Sequence, residues 1–297
     1  VGEDCAAVAP EQGEVFVLST DPITGADKQM GVFAVHITAN DLATAGAEPI
    51  GILSSIILPP ETEEQDLRRI MSELEQACDE LQIEILGGHT EVSDAVNRPV
   101  ITVTGVGKGA RGDLLSTGGM RPGDELVMTK WAGLEGSAII AAEKRDVLEQ
   151  TLPAHLIDTA ESFLKHISVV PEAKIAMQHG VHAMHDVTEG GIFGALWEMG
   201  AASGVGIVAD LDKIPIRQET IELCEVFDIN PYLLISSGCM LIGCENGNLL
   251  VERLQDAGIP AAVIGRATEG NDRVIRSGEE TRFLEPAGSD ELYKIYE

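Results

Sequence analysis

Short apolar runs alternate with amphipathic stretches along this chain, the pattern of strands and helices packed in layers. Residues 15–18 predict a buried strand, and 31–45 carry apolar side chains at helical spacing with Asp41 near the far end. A second strand is predicted over 50–58, closed by Pro59-Pro60. It leads into a helix over 61–81 whose first turn holds acids, where the helix dipole favours them. Residues 83–86 read as a short strand emptying into Gly87-Gly88, and 99–106 as a strand rich in β-branched residues. Between 107 and 123 the composition turns to glycine, serine and threonine, broken by Pro122, which places a boundary between a domain over 1–112 and another over 122–297. The second half restarts with a strand at 125–129 and helices at 134–144, 154–166 and 171–179. Residues 183–184 then lead into His185-Asp186-Val187-Thr188-Glu189-Gly190-Gly191 and an apolar helix through Met199. Strands at 205–209, 240–243 and 260–264 alternate with helices at 217–227 and 248–257, so both halves predict α/β or α+β layers.

Composition narrows the class. A chain of 297 residues, 44% hydrophobic and 23% charged, is globular and long enough for two cores. The formal charge of −29 argues against a nucleic-acid or anionic-membrane partner, either of which needs a basic surface. No apolar run approaches the roughly 20 residues that span a bilayer. The five cysteines, Cys5, Cys78, Cys224, Cys239 and Cys244, are odd in number and lack CxxC spacing, so neither a disulfide framework nor a zinc site is predicted and a reducing cytoplasm is the expected setting. The sequence opens at Val1 in mid-motif, and a preceding segment is expected.

The candidate chemistry lies in acids set beside small residues: Glu3-Asp4 after Gly2, Asp21 between Thr20 and Pro22, Asn40-Asp41, and Gly87-Gly88-His89-Thr90-Glu91. Magnesium takes a few hard carboxylate oxygens with water and phosphate, and glycine lets backbone N–H groups approach phosphate closely, so a Mg-nucleotide site is expected. Lys28, Lys108 and Lys130 are the candidates to offset nucleotide charge in so acidic a chain. Asp21 before Pro22 reads equally as the opening of a turn. His179, His182 and His185 straddle a helix end and a strand, which does not suit a shared metal. No Walker A pattern and no strand-linked GxGxxG occurs. A general base is not singled out; His36, His89 and His185 qualify by type alone.

Gly2-Glu3-Asp4-Cys5-Ala6-Ala7-Val8, Asn40-Asp41-Leu42-Ala43, Gly87-Gly88-His89-Thr90 and the stretch from His185 to Gly191 resemble, in order, the motifs of the aminoimidazole ribonucleotide (AIR) synthase-related superfamily. That superfamily includes thiamine-monophosphate kinase, selenophosphate synthetase and the hydrogenase-maturation dehydratase HypE. Asp212 to Arg217, Ile229-Asn230-Pro231 and Ser237-Gly238 are similar to the HypE branch. The resemblance implies a two-domain α/β fold whose N-terminal sheet pairs across a homodimer and whose C-terminal domain closes a nucleotide cleft. It also implies ATP and Mg²⁺ as cofactors and activation of an oxygen of a small-molecule, carboxamide or protein-bound substrate by phosphorylation.

By the same resemblance Asp4 and Asp41 are metal ligands, His89 takes a motif position beside them and Asp186 takes the place of the motif aspartate; Glu91, an oxygen donor close after Gly87-Gly88, joins the candidate metal set. His89, His185 and Asp186 are the catalytic candidates. Asp4, Asp21, Lys28, Asn40, Asp41, Gly87, Gly88, Thr90, Lys108 and Lys130 are the nucleotide-binding ones. The sequence departs from the HypE pattern at Val187 and Glu189, where proline and arginine are usual, and carries no cysteine after Cys244, so thiol-borne carbamoyl transfer is not expected. The alternative is a nucleotide-binding maturation or regulatory protein with weak or no catalysis.

Overall fold

The computed structural model describes residues 5–8, 13–23 and 29–296. It divides into two compact units, one ending at Leu114 and the other starting at Leu115.

In the first unit β1 (Cys5–Val8), β2 (Glu14–Ile23), α1 (Met30–Thr44), β3 (Glu48–Leu58), α2 (Glu64–Leu81), β4 (Glu84–Val92) and β5 (Val100–Ala110) form a sheet in the order β1-β2-β5-β3-β4 with two covering helices. α2 is amphipathic for a plain reason: Ile70, Leu74, Ala77 and Cys78 recur on one face and are buried, while charged residues fill the other. Its start is set by Glu63, whose N–H is accepted by Asp66 at 3.3 Å, three residues later than the sequence pattern places it. α1 is buried almost all round, because it lies between the sheet and α2. Gly31 permits that approach, since a Cβ there would sit 2.7 Å from the Glu73 Cβ. Val35, Ile52, Ile56, Ile70, Leu74, Ile101 and Val103 make up the core.

The strands run longer than their apolar runs suggest. β2 continues through Asp21 and Pro22 to Ile23, with Asp21 opposite Val103, so Asp21 is in a strand and not a turn. β4 does not stop at Gly87-Gly88 but runs on to Val92, parallel to β3 across an irregularity at Ile52/Leu53. Gly88 (φ 155°) is obligatory there, because a Cβ would fall 2.0 Å from the Ser54 carbonyl oxygen.

The second unit comprises β6 (Glu125–Thr129), α3 (Leu134–Glu143), α4 (Arg145–Leu148), α5 (Ala154–Glu161), α6 (Val170–His179), β7 (Ala183–Asp186), α7 (Gly191–Ser203), β8 (Gly206–Asp210), α8 (Gln218–Phe227), β9 (Met240–Cys244), α9 (Gly247–Asp256), β10 (Ala261–Thr268), β11 (Arg273–Ser277) and β12 (Glu280–Phe283). The sheet order is β12-β11-β8-β10-β6-β9-β7, parallel between β11 and β8 and otherwise antiparallel. The helix expected over 154–166 tightens into a 3-10 turn after Glu161. β11 and β12 have no counterpart in the sequence reading; both are short, and β12 is exposed throughout. Among the described residues no helix is long and apolar enough to cross a membrane.

Candidate functional site

The first unit brings two of the sequence-selected acids together. Ser19, two residues before Asp21 on the same face of β2, donates its hydroxyl to Asp41 of α1 at 2.6 Å and approaches the Asp21 carboxylate at 3.2 Å. Alternation along the strand puts Ser19 and Asp21 on the face covered by α1. Asp41 is 6% exposed, flanked by the fully buried Asn40 and by Leu42. Two carboxylates and a hydroxyl at one spot form a hard-oxygen set of the kind a divalent cation accepts. Ser19 was not among the residues chosen from sequence; its position two residues from an acid in an alternating strand was the signal. Asp4 and Lys28 lie outside the described residues.

The remaining candidates of this unit stand elsewhere. His89 pairs in register with Ser55 and Glu91 with Ile57, on the sheet face turned away from α1, and β4 is separated from β2 by β5 and β3. His89 (71% exposed) faces Glu91 at 3.4 Å. The expected metal set that joined Asp41 to His89 and Glu91 is therefore not assembled within this unit, because a one-residue step along a strand reverses the face. Among the described residues no group of three or more His, Cys, Asp or Glu is arranged to hold a metal. Thr90 follows on the exposed edge strand with Gly87 and Gly88. Lys108, also on the outer face, ion-pairs with Glu48 at 3.4 Å and does not face Asp21 or Asp41.

In the second unit the stretch from His185 to Gly191 forms the end of the buried strand β7, a turn, and the start of α7. Gly190 and Gly191 both have positive φ, and a Cβ on Gly191 would meet the Leu234 and Tyr232 carbonyls at 2.7 Å. Asp290 ties this turn to its surroundings: it accepts N–H bonds from Gly190 at 2.7 Å, Leu292 at 2.8 Å and Ile235 at 3.2 Å. Burial holds the Asp290 carboxyl above its usual range, with these N–H groups pulling the other way.

Asp186 is buried at the end of β7, and His185 Nε2 lies 3.0 Å from Glu198. His182 instead pairs with Asp124 at 2.9 Å, so these two histidines have separate carboxylate partners. Glu189 accepts the Tyr293 hydroxyl at 3.2 Å. Lys130 is occupied internally: its ammonium donates to the carbonyls of Ser168 (2.6 Å) and Gly238 (2.9 Å) and pairs with buried Glu172. That accounts for Lys130 as a support of the second unit's core, in contrast to the free cation expected from sequence. Glu135, in the first turn of α3, was also missed. It is 3% exposed, and burial pushes its carboxyl from 4.5 up to about 7, with Asp290 and Glu189 adding to the rise and Ser237 opposing it. An acid inside the apolar run 132–141 was the available signal.

Two family models match the chain: AIR synthase related protein, N-terminal domain, over residues 2–108, and AIR synthase related protein, C-terminal domain, over residues 121–277. The chain belongs to the AIR synthase-related family. It is 29% identical to a putative hydrogenase expression/formation protein of Methanocaldococcus jannaschii, over 92% of this chain and 82% of that protein. It is 33% identical to the carbamoyl dehydratase HypE of Cupriavidus necator, over 82% of this chain and 69% of that protein. The fold is similar to that of the hydrogenase maturation protein HypE solved in complex with ATP, with a TM-score of 0.75 and 20% identity, covering 93% of this chain and 86% of the other. The two-domain α/β architecture is thus that of the family, and the sequence motifs that resembled it lie within the matched segments.

Proposed function

We propose that this protein is an ATP- and Mg²⁺-dependent enzyme that activates an oxygen of a small-molecule, carboxamide or protein-bound substrate by phosphorylation. One observation carries the reading: Asp21 and Asp41, from different elements, share the Ser19 hydroxyl at 3.2 and 2.6 Å on the covered face of the first unit's sheet. Asp41, Asp21 and Ser19 fit a hard cation, and Asp4 is their sequence-motif companion. When bound, Mg²⁺ supplies charge neutralisation on phosphate oxygens. The chain's own part is positional. Ser19 donates to the Asp41 carboxylate and lies beside that of Asp21, and burial of Asp41 where α1 packs on β2 leaves it little freedom to reorient, so these groups are set before nucleotide arrives. Binding of ATP by the HypE of similar fold, and the carbamoyl dehydratase relatives, support a nucleotide-using reaction of this class. Gly87, Gly88 and Thr90, on the edge strand β4, stay candidates for phosphate approach, and His185 and Asp186 stay catalytic candidates, each considered within its own unit.

The test is isothermal titration of ATP with Mg²⁺ into the wild-type chain and the Asp41→Asn and Asp21→Asn variants, followed by phosphate release with candidate carboxamides. Substrate-stimulated release supports the enzyme. Tight binding with no turnover on any substrate favours the second reading, a nucleotide-binding maturation or regulatory protein.

A further inference from the structure

A separate pocket of about 450 Å³ opens on the second unit's sheet, over β11, β8, β10 and β6, on the half of the sheet away from β7. Its size falls in the range of small-molecule sites, roughly 300–1,000 Å³. Arg266 pairs in register with Val208 and Arg276 with Asp210, so the two arginines rise from the strands flanking β8 on one face. Two strand spacings across and two residues along the strands separate them, about 12 Å at the backbone, a gap that two guanidinium side chains can close around one ligand.

The pocket's own carboxylates are already engaged. Asp210 holds Lys213 at 2.7 Å, and Glu125 accepts the Gly247 N–H at 2.7 Å at the start of α9. Arg266 and Arg276 have no carboxylate within ion-pair distance among the described residues.

The floor is shaped as well as charged. β10 is irregular between Val263 and Gly265, and a Cβ on Gly265 would lie 2.4 Å from the Val208 carbonyl. Val208 and Val263 give the floor an apolar surface between the charged side chains that line its edge. A bare hydrated ion gains nothing from such a floor, whereas an anion on a hydrocarbon body gains both contacts. Guanidinium forks match the planar oxygens of carboxylate and the oxygens of phosphate alike.

We propose that this pocket binds a small organic anion, a carboxylate or phosphate borne on a compact apolar body, held by Arg266 and Arg276. The full chain is titrated calorimetrically with butyrate, butyl phosphate and inorganic phosphate. The same titrations are run on Arg266→Gln, Arg276→Gln and Asp41→Asn. Expected is binding of at least one organic anion about tenfold tighter than inorganic phosphate, weakened about tenfold or more by each arginine change and unaltered by Asp41→Asn. The tighter of butyrate and butyl phosphate identifies the anionic group. Absence of heat from both organic anions up to about 10 mM overturns the proposal, as does affinity unchanged in both arginine variants or equal affinity for inorganic phosphate. Both arginines are exposed, and unchanged melting curves separate loss of binding from loss of fold.

Discussion

Asp41 shows how a single side chain can be conspicuous in sequence and still depend on a partner that sequence does not name. An acid among Leu42, Ala43 and Ala45 on an apolar helix stands out, but the Ser19 hydroxyl that orients it comes from a strand 22 residues away. Replacing Asp41 by Asn, or Asp21 by Asn, is expected to weaken Mg·ATP binding at least tenfold, about 1.4 kcal/mol, in isothermal titration. Unaltered affinity in both variants would reject the assignment.

Glu135 supports a pH prediction. Its carboxyl titrates near 7 in the fold against 4.5 ordinarily. The folded chain therefore holds this proton more tightly than the unfolded chain, and the group's effect on stability is lost as pH rises from 4.5 through about 7. The penalty levels off above that, at an upper bound of roughly 3 kcal/mol. Glu135→Gln removes the penalty. Its melting temperature relative to wild type should accordingly be higher at pH 8 than at pH 5, and a difference independent of pH would refute a proton held at Glu135.

At the scale of elements, periodicity identified the helix that became α2, because its apolar stripe faces a core on one side only. α1 was delimited within one residue at each end, although contact with sheet and helix buries nearly every position. Strand lengths were underestimated wherever polar residues continue the ladder: Thr20, Asp21 and Pro22 in β2, and His89, Thr90 and Glu91 in β4, have ordinary backbone pairing but no apolar run. Gly87-Gly88 resembled a strand end because glycine weakens strands, yet here it relieves a close approach between β4 and β3. Gly88→Ala is expected to destabilise the first unit by about 2–4 kcal/mol through that contact, read as a lowered melting temperature with faster amide exchange along β4. A melting temperature equal to wild type would mean the strand relaxes without cost.

At the scale of the whole molecule, the outward face of the first unit's sheet exposes Phe16 (41%) and Leu53 (43%), with the Thr20 and Thr104 hydroxyls 2.9 Å apart in the same cross-strand row as Leu53. Apolar side chains on an open sheet face suit pairing with a second copy, and we propose this face as the place where two copies would pair. The double change Phe16→Glu with Leu53→Glu should convert a dimeric mass to a monomeric one in light scattering while leaving circular dichroism intact. A dimer that survives the change would place the interface elsewhere.

Fold class and the order of motifs were legible in the sequence, because they rest on local pattern: apolar period and glycine beside acid. The sequence by itself also singled out Asp21 and Asp41. Only the tertiary structure decided that they meet at Ser19, that His89 and Glu91 turn to the opposite sheet face, and that Lys108 and Lys130 are occupied by Glu48 and Glu172. The reason is that face and partner depend on strand register and on which distant segment packs alongside. A one-residue shift in register inverts every side chain of a strand without changing its composition.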